Sequence, residues 1–549
     1  MRLPRIIAPL FILSLGALAQ SIPPHMPRPG IDIIHYDFDV TLPDSGRSIA
    51  VLASIQIRRF EPVASLRLDL RRLHVDSVRL GGRPGRFRRD SVSILVDLPR
   101  AKGGLHDTLE LAVKYHGDVA DGLIIRSDPS GRWTAFGDNW PDRARNWLAS
   151  VDDPADKATV TWRVNAPSSL TVVANGALVE THPLPSATPR TLTVWAESKP
   201  IPVYLMVIAA ARMDSMDLGE TAPGTAATGG GVSQSLYVFP EDRDFIPGPF
   251  ANAKDIVEFF SRIVAPFPFE KLAHLESSTI FGGMENATAI FYSDRGFRRR
   301  SMRADLIAHE TAHQWFGDAV TESAWAHLWL SEGFATYFEE LWEQHAKGDS
   351  TFRHGMSGMR DEILRSRVSL ERPVIDSTQS NLVALLNTNS YQKGAWTLHM
   401  LRAMVGDSLF YHSLRLYYRE HLFGNATTDD LESAFERTTG ENLRWYFDEW
   451  LRRPGFVEAK IEWRYIAATQ RVTVNVTQDG RFAPYRFPLL LEIRNSKGWS
   501  TKREVEIPAF ARTSVEVAGV IPSSPTSIVP DPDVELLGTV TVVGGATNR

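Results

Sequence analysis

The spacing of hydrophobic and polar positions changes twice along the chain. From residue 31 onward apolar side chains recur at every second position. Tyr36, Phe38, Val40 and Leu42 form one such run; Ile49, Val51, Ala53, Ile55 and Ile57 form another, and Val160, Trp162 and Val164 a third. Alternation of this kind gives a strand one buried face and one wet face. Turn-forming clusters, "PDSG" and "GGRPG", separate such runs, so the first part reads as a saddle or sandwich of antiparallel strands. After about residue 250 the period lengthens. Phe334, Tyr337, Phe338, Leu341 and Trp342 stand at i, i+3, i+4, i+7 and i+8, one face of a helix, and Gly348 is placed to close it. A second helical block is expected from Tyr391 to Leu451, with Thr428 as cap before "DDLESAF" and Pro454-Gly455 as the stop,. Alternation returns at Ile461, Trp463 and Tyr465, then at Val472, Val474 and Val476. The pattern predicts a multidomain α+β protein without internal repeats. Its parts are an N-terminal β domain (20–237), a mainly helical domain (238–454) and a small C-terminal β-sandwich (455–549). The loop "TAPGTAATGGG", 221 to 231, reads either as a domain linker or as a long exposed hairpin.

Length and charge narrow the picture. A chain of 549 residues exceeds what one core holds,. A net charge of −5 and the lack of long basic runs argue against a nucleic-acid partner,. Arginine is dense between Arg58 and Arg89, but Asp69, Asp76 and Asp90 interrupt it, which reads as a solvated strand surface. Residues 1–19 read as a cleavable secretory signal: Arg2 and Arg5, an apolar run from Ile6 to Leu15, then Ala17-Leu18-Ala19,. A secreted or periplasmic protein starting near Gln20 is expected, with no membrane span in the mature chain. It has no Cys, so stability must come from core packing, helped by any bound metal, rather than from disulfides.

The stretch "LIAHETAHQWFGD" (306–318) carries the chemistry. Residues four apart share a helix face, so His309 and His313 can aim imidazole nitrogens at one zinc ion. Glu310 can reach a water on that ion. Ser301 is the expected cap of this helix and Gly317 its end. An accidental H-E-x-x-H is expected roughly 0.03 times in such a chain. Phe316 and Ala319 stand where the metzincin pattern requires Gly and His, which excludes that class. Glu332, nineteen residues after His313 at the start of the amphipathic helix, is the expected third ligand; His327, in "AWAHLWL", is read as a non-ligand.

The stretch "HETAHQWFGDAVTESAWAHLWLSEGFATYF" resembles the zinc aminopeptidases of the aminopeptidase N and leukotriene hydrolase type. "GGMEN" (Gly282, Gly283, Met284, Glu285, Asn286) resembles that family's exopeptidase motif, and "YQKGAWTLHML" from Tyr391 its Y-x-K-G segment. "DNWPDRARNWLASVDDPADKATVTWRV" and "DEWLRRPGF" extend the likeness over nearly the whole mature chain. The resemblance implies a thermolysin-like catalytic domain with one zinc ion and peptide substrates bearing a free N-terminus. Zinc would activate a water, Glu310 would act as general base, and the Tyr391 hydroxyl would support the oxyanion. Glu285 would pair with the substrate ammonium, and Gly282 and Gly283 would let the peptide add as a strand. Asn139 in "GDNWP" is the nearest candidate for a second amine anchor. The sequence departs from the family at Ala324-Trp325, His327 and Ser331, so the support of the ligands differs. The long helical domain that many relatives carry after the sandwich is not expected here, leaving a more open site or one closed by a partner subunit in a homo-oligomer. An epoxide hydrolase, a bifunctional enzyme, or a non-catalytic binding protein on the same fold are the alternatives.

Overall fold

The structure, a computed structural model, describes residues 30–100, 107–245 and 248–548. The leader reading for residues 1–19 lies outside the described residues. Among them, no helix is long and apolar enough to cross a membrane.

The N-terminal region is built on an eight-stranded sheet. The alternating runs form its centre: Ile31–Thr41 pairs with Ser48–Arg59, which pairs with Asp107–Asp118. Tyr36, Phe38, Val40 and Leu42 are all enclosed, as are their counterparts from Ile49 to Ile57. Aromatic rings then knit the face together: Phe38 stacks on Trp162 at 5.1 Å between ring centres, and Trp162 on Trp147 at 5.7 Å. One pairing departs from the antiparallel expectation. Ile31–Thr41 runs parallel to Lys157–Pro167, because the chain returns only after a long excursion rather than through a hairpin. A four-stranded sheet lies in the same region, and its strand Trp133–Gly137 leads into the "DNWP" loop.

The glycine-rich loop 221–231 joins two strands, Asp214–Glu220 and Ser233–Val238, that pair with each other. They extend a five-stranded sheet whose other members are Leu272–Ser277, Ala289–Ser293 and Gly283–Met284. The loop is therefore the hairpin of the two readings. The sheet that carries "GGMEN" takes in strands from residue 214 on, ahead of the expected domain start at 238. The strand period of residues 214–238 resembles that of the preceding domain, and sequence alone gives no sign of the exchange.

The helical region packs around Trp329–Lys347. Its apolar face is buried as expected, but so are Glu332, Thr336 and Glu340 on the other side. The helix is central, and its polar face turns inward. Gly348, at φ +88°, terminates it. The cap of Thr428–Thr439 is Thr427, not Thr428: the Thr427 hydroxyl accepts from Asp430 N–H and the Asp430 carboxylate reaches back to Thr427, forming a capping box. The Thr428 hydroxyl instead accepts from the Trp329 indole.

After Pro454 the chain forms two facing sheets of four and three strands, the small sandwich. It docks on the helices through His399, whose Nε2 lies 2.8 Å from the Val534 carbonyl, and through Arg360, paired with Asp531 at 2.6 Å.

Candidate active site

The helix Ala304–Ala312 carries His309 and Glu310, and His313 stands at its C-terminal cap. Arg303 precedes the helix and no side chain caps it, so Ser301 does not serve as the expected cap. Gly317 follows at φ +123°, a value that favours glycine, and lets the chain turn back towards the central helix.

Three donor atoms converge between the two helices. His309 Nε2 lies 3.3 Å from His313 Nε2 and 3.3 Å from Glu332 Oε2, and His313 Nε2 lies 3.4 Å from the same carboxylate oxygen. A tetrahedral zinc ion with ligands at ~2.0–2.1 Å spaces its donors by about 3.3–3.4 Å. The three edges match that spacing. Two imidazoles and one carboxylate are also the donor set zinc accepts in catalytic sites. His309, His313 and Glu332 therefore fit zinc, and each is more than nine-tenths buried. His327 lies apart, its Nδ1 2.9 Å from the Thr428 hydroxyl.

Further groups fix these ligands. The far nitrogen of His309, Nδ1, is 3.4 Å from Glu339 Oε2. His313 Nδ1 faces the Phe316 carbonyl at 3.2 Å and the Ser331 hydroxyl at 3.0 Å. Such acceptors keep the proton on Nδ1 and leave the Nε2 lone pair for the metal. Ser331, a departure noted in the sequence, supplies this support with a hydroxyl. Glu339 was not anticipated. It lies seven residues after Glu332, two helical turns along the same face, and that spacing could have revealed it.

Tyr391 sits in a π-helical turn, Asn389–Lys393, a deformation frequent at functional sites. Its hydroxyl donates to Glu332 Oε1 at 2.8 Å, the oxygen that does not face the histidines, and its ring stacks over His309.

Glu310 and Glu285 both place a carboxylate oxygen within 4.8 Å of a His313 nitrogen and of each other. Burial pushes Glu310 up to about 8 against the pull of His309 and His313, and burial likewise raises Glu285. Two dehydrated carboxylates side by side favour a cation between or beside them. Gly283 is required by this packing: a Cβ there would lie 2.0 Å from Glu310 Oε1. Around Gly282 there is open space, and Gly283–Met284 is the edge of its sheet. Gln314 ties the two motifs together. Its Nε2 donates to the Glu285 carbonyl at 3.0 Å and to Asp318 at 2.7 Å, while its Oε1 accepts from Thr288 N–H at 2.9 Å.

Three further residues expected at the substrate lie deep in the fold. Asn139 is wholly enclosed, its amide donating to the carbonyls of Val203 and Met206 and accepting from the Trp147 indole. These bonds engage its side chain in holding the fold. Asn286 is equally enclosed and the Met284 side chain nearly so.

The comparisons with known proteins agree with this geometry. The profile of the peptidase family M1 domain matches residues 250–450, and that of the peptidase M1 N-terminal domain matches residues 33–205. The chain belongs to peptidase family M1. Among M1 relatives, Tricorn protease-interacting factor F2 of Thermoplasma acidophilum is 27% identical, over 90% of this chain and 62% of its own. Aminopeptidase N of Streptomyces lividans is 28% identical, over 77% and 50%. This chain spans roughly one third to three fifths of the length of the curated M1 relatives it matches. The crystal structure of an M1 zinc metallopeptidase from Deinococcus radiodurans superposes with a TM-score of 0.67 at 25% identity, covering 78% of this chain and 95% of that one. A mutant of that peptidase bound to a Tyr-Ser-Ala substrate gives the same TM-score and identity. The M1 matches span the helices and the β domain alike.

Proposed function

We propose that this chain is a zinc-dependent aminopeptidase that hydrolyses the N-terminal peptide bond of peptides. The observation that carries the reading is the juxtaposition of Glu285 and Glu310 beside one metal triangle, within 4.8 Å of a His313 nitrogen and of each other. His309, His313 and Glu332 would hold the zinc ion, which would supply Lewis acidity towards the carbonyl and the attacking water. Glu310 takes the proton from the attacking water and delivers it to the leaving amine. Tyr391, beside Glu332, donates its hydroxyl to the carbonyl oxygen as charge develops there. Glu285 pairs with the free ammonium. An internal peptide segment would place a neutral amide there and leave the carboxylate unpaired. The peptide backbone extends the sheet at the Gly283–Met284 edge. The mutant Deinococcus relative bound to a Tyr-Ser-Ala substrate supports a peptide as the substrate class. The reading includes export, with the first nineteen residues as leader; N-terminal sequencing of protein recovered from the producing cell tests that part.

The test uses the chain from Gln20 on and a panel of aminoacyl fluorogenic substrates. Release of the fluorophore that stops with a chelator and returns with zinc is the expected result. N-acetylated versions should be inert. Equal cleavage of free and acetylated substrates refutes the exopeptidase reading, and absence of any chelator-sensitive release refutes the enzyme reading.

A further inference from the structure

The segment that precedes Glu285 has little of its own to hold it. Ile280 is 62% exposed, Phe281 is half-buried, and Gly282 has no neighbouring heavy atom within 4 Å of where a Cβ would stand. Two consecutive glycines add conformational freedom. At its far end the segment is fixed by Gln314 on the Glu285 carbonyl and by Ser293 N–H on the Gly282 carbonyl at 3.0 Å. The near end is fixed from the other domain. Asp138, at the end of the strand Trp133–Gly137, is fully buried, and its Oδ2 accepts from the Ile280 N–H and the Thr279 hydroxyl, each at 3.3 Å. The Thr279 hydroxyl oxygen accepts in turn from Phe281 N–H at 3.2 Å.

Asp138 is itself immobilised. Its Oδ1 accepts from Arg143 at 2.5 Å, and its N–H donates to the Gly122 carbonyl at 2.6 Å. Arg143 is tied further to Asp121 at 3.0 Å and to the Trp140 carbonyl at 2.7 Å. Trp140 packs edge-on against Phe281 at 5.8 Å, and the Arg143 guanidinium lies over the same ring. Three residues of one β-domain loop thus grip residues 279–281.

We propose that Asp138 is a positioning residue for substrate binding: it fixes the 279–281 backbone from the β domain and through it the placement of Glu285 against the peptide ammonium. The proposal rests on the amine-binding reading of Glu285. A carboxylate oxygen that accepts from a backbone N–H and a neighbouring hydroxyl together constrains the direction of that backbone. A shift of about 1 Å in a binding group is enough to cost on the order of a hundredfold in rate. In Asp138→Asn one carboxylate oxygen becomes an NH2 group. With the remaining oxygen facing Arg143, the amide cannot accept from Ile280 and Thr279.

The test compares Asp138→Asn, Glu285→Gln and the double variant in the zinc-loaded chain. Asp138→Asn should raise KM for free-amine substrates about tenfold with kcat changed by less than about threefold. The inhibition constant of a free amino acid such as leucine should rise in parallel, and zinc content should be unchanged. In the Glu285→Gln background the same substitution should add little, because both act through one contact. Thr279→Val gives the same direction with a smaller effect, and serves if Asp138→Asn folds poorly. The proposal is overturned if Glu285→Gln raises KM while Asp138→Asn and Thr279→Val do not, or if the effects multiply in full. If Glu285→Gln leaves KM unchanged, the amine-binding reading itself fails, and this proposal with it.

Discussion

Gly333 and Gly394 meet at backbone contact. A Cβ added to Gly333 would lie 2.9 Å from the Gly394 Cα, and one added to Gly394 would lie 3.0 Å from the Gly333 Cα. Gly333 follows the ligand Glu332, and Gly394 follows the π turn that carries Tyr391. The missing side chains let the two elements close until the Tyr391 hydroxyl reaches Glu332 at 2.8 Å. In Gly333→Ala the added methyl also meets the Ser390 carbonyl at 3.1 Å, so the turn must move. The expected outcome is a fall in kcat of about ten- to a hundredfold with zinc still bound. Steady-state kinetics beside metal analysis of the same sample checks it; full activity would show that the contact does not place Tyr391.

Tyr391→Phe keeps the ring that stacks on His309 and removes the hydroxyl. A lost oxyanion donor lowers kcat by about a hundred- to a thousandfold, while KM should stay within about threefold because the ground-state carbonyl gains little from the bond. A change mainly in KM would assign Tyr391 to binding instead.

Glu339→Ala removes the carboxylate 3.4 Å from His309 Nδ1. Outer partners of this kind are worth about ten- to a hundredfold in metal affinity. Competition with a chelator of known affinity should show that loss, with activity restored at high zinc. Unchanged zinc affinity would leave Glu339 without a role at the metal.

His399 links the helices to the sandwich as a neutral ring. Burial holds it down to about 4; Arg402 and Arg360 act in the same direction, and the bond to the Val534 carbonyl acts against it. A group whose folded pKa is depressed below the unfolded value near 6.5 binds its proton more readily in the unfolded chain. Stability is therefore retained above about pH 6.5 and lost as pH falls from there towards 4,. Thermal melts across that window should fall more steeply for the native chain than for His399→Gln, each compared with its own value at pH 7.5. Parallel pH profiles would remove His399 as the titrating group.

The order of residues was enough to read the parts of the fold and the candidate chemistry. Period-two alternation marked the strands around Phe38 and Ile55 because a half-buried strand must alternate, and i, i+4 spacing put His309 and His313 on one side of a helix because 3.6 residues make a turn. Glu332 and Tyr391 were legible through motif resemblance, and the structure brings both to the same triangle. Everything that depends on which surfaces meet had to wait for the packed molecule. It assigned strands 214–238 to the sheet bearing "GGMEN", turned the polar side of the helix Trp329–Lys347 inward, and enclosed Asn139. It also brought Glu339 against His309, Gln314 against the Glu285 carbonyl and Asp138 against Ile280. Periodicity records how a residue sits on its own element; it carries no record of the partner across a domain boundary. The grip of Asp138 on Ile280, 142 residues away in the chain, exists only once the two domains are packed.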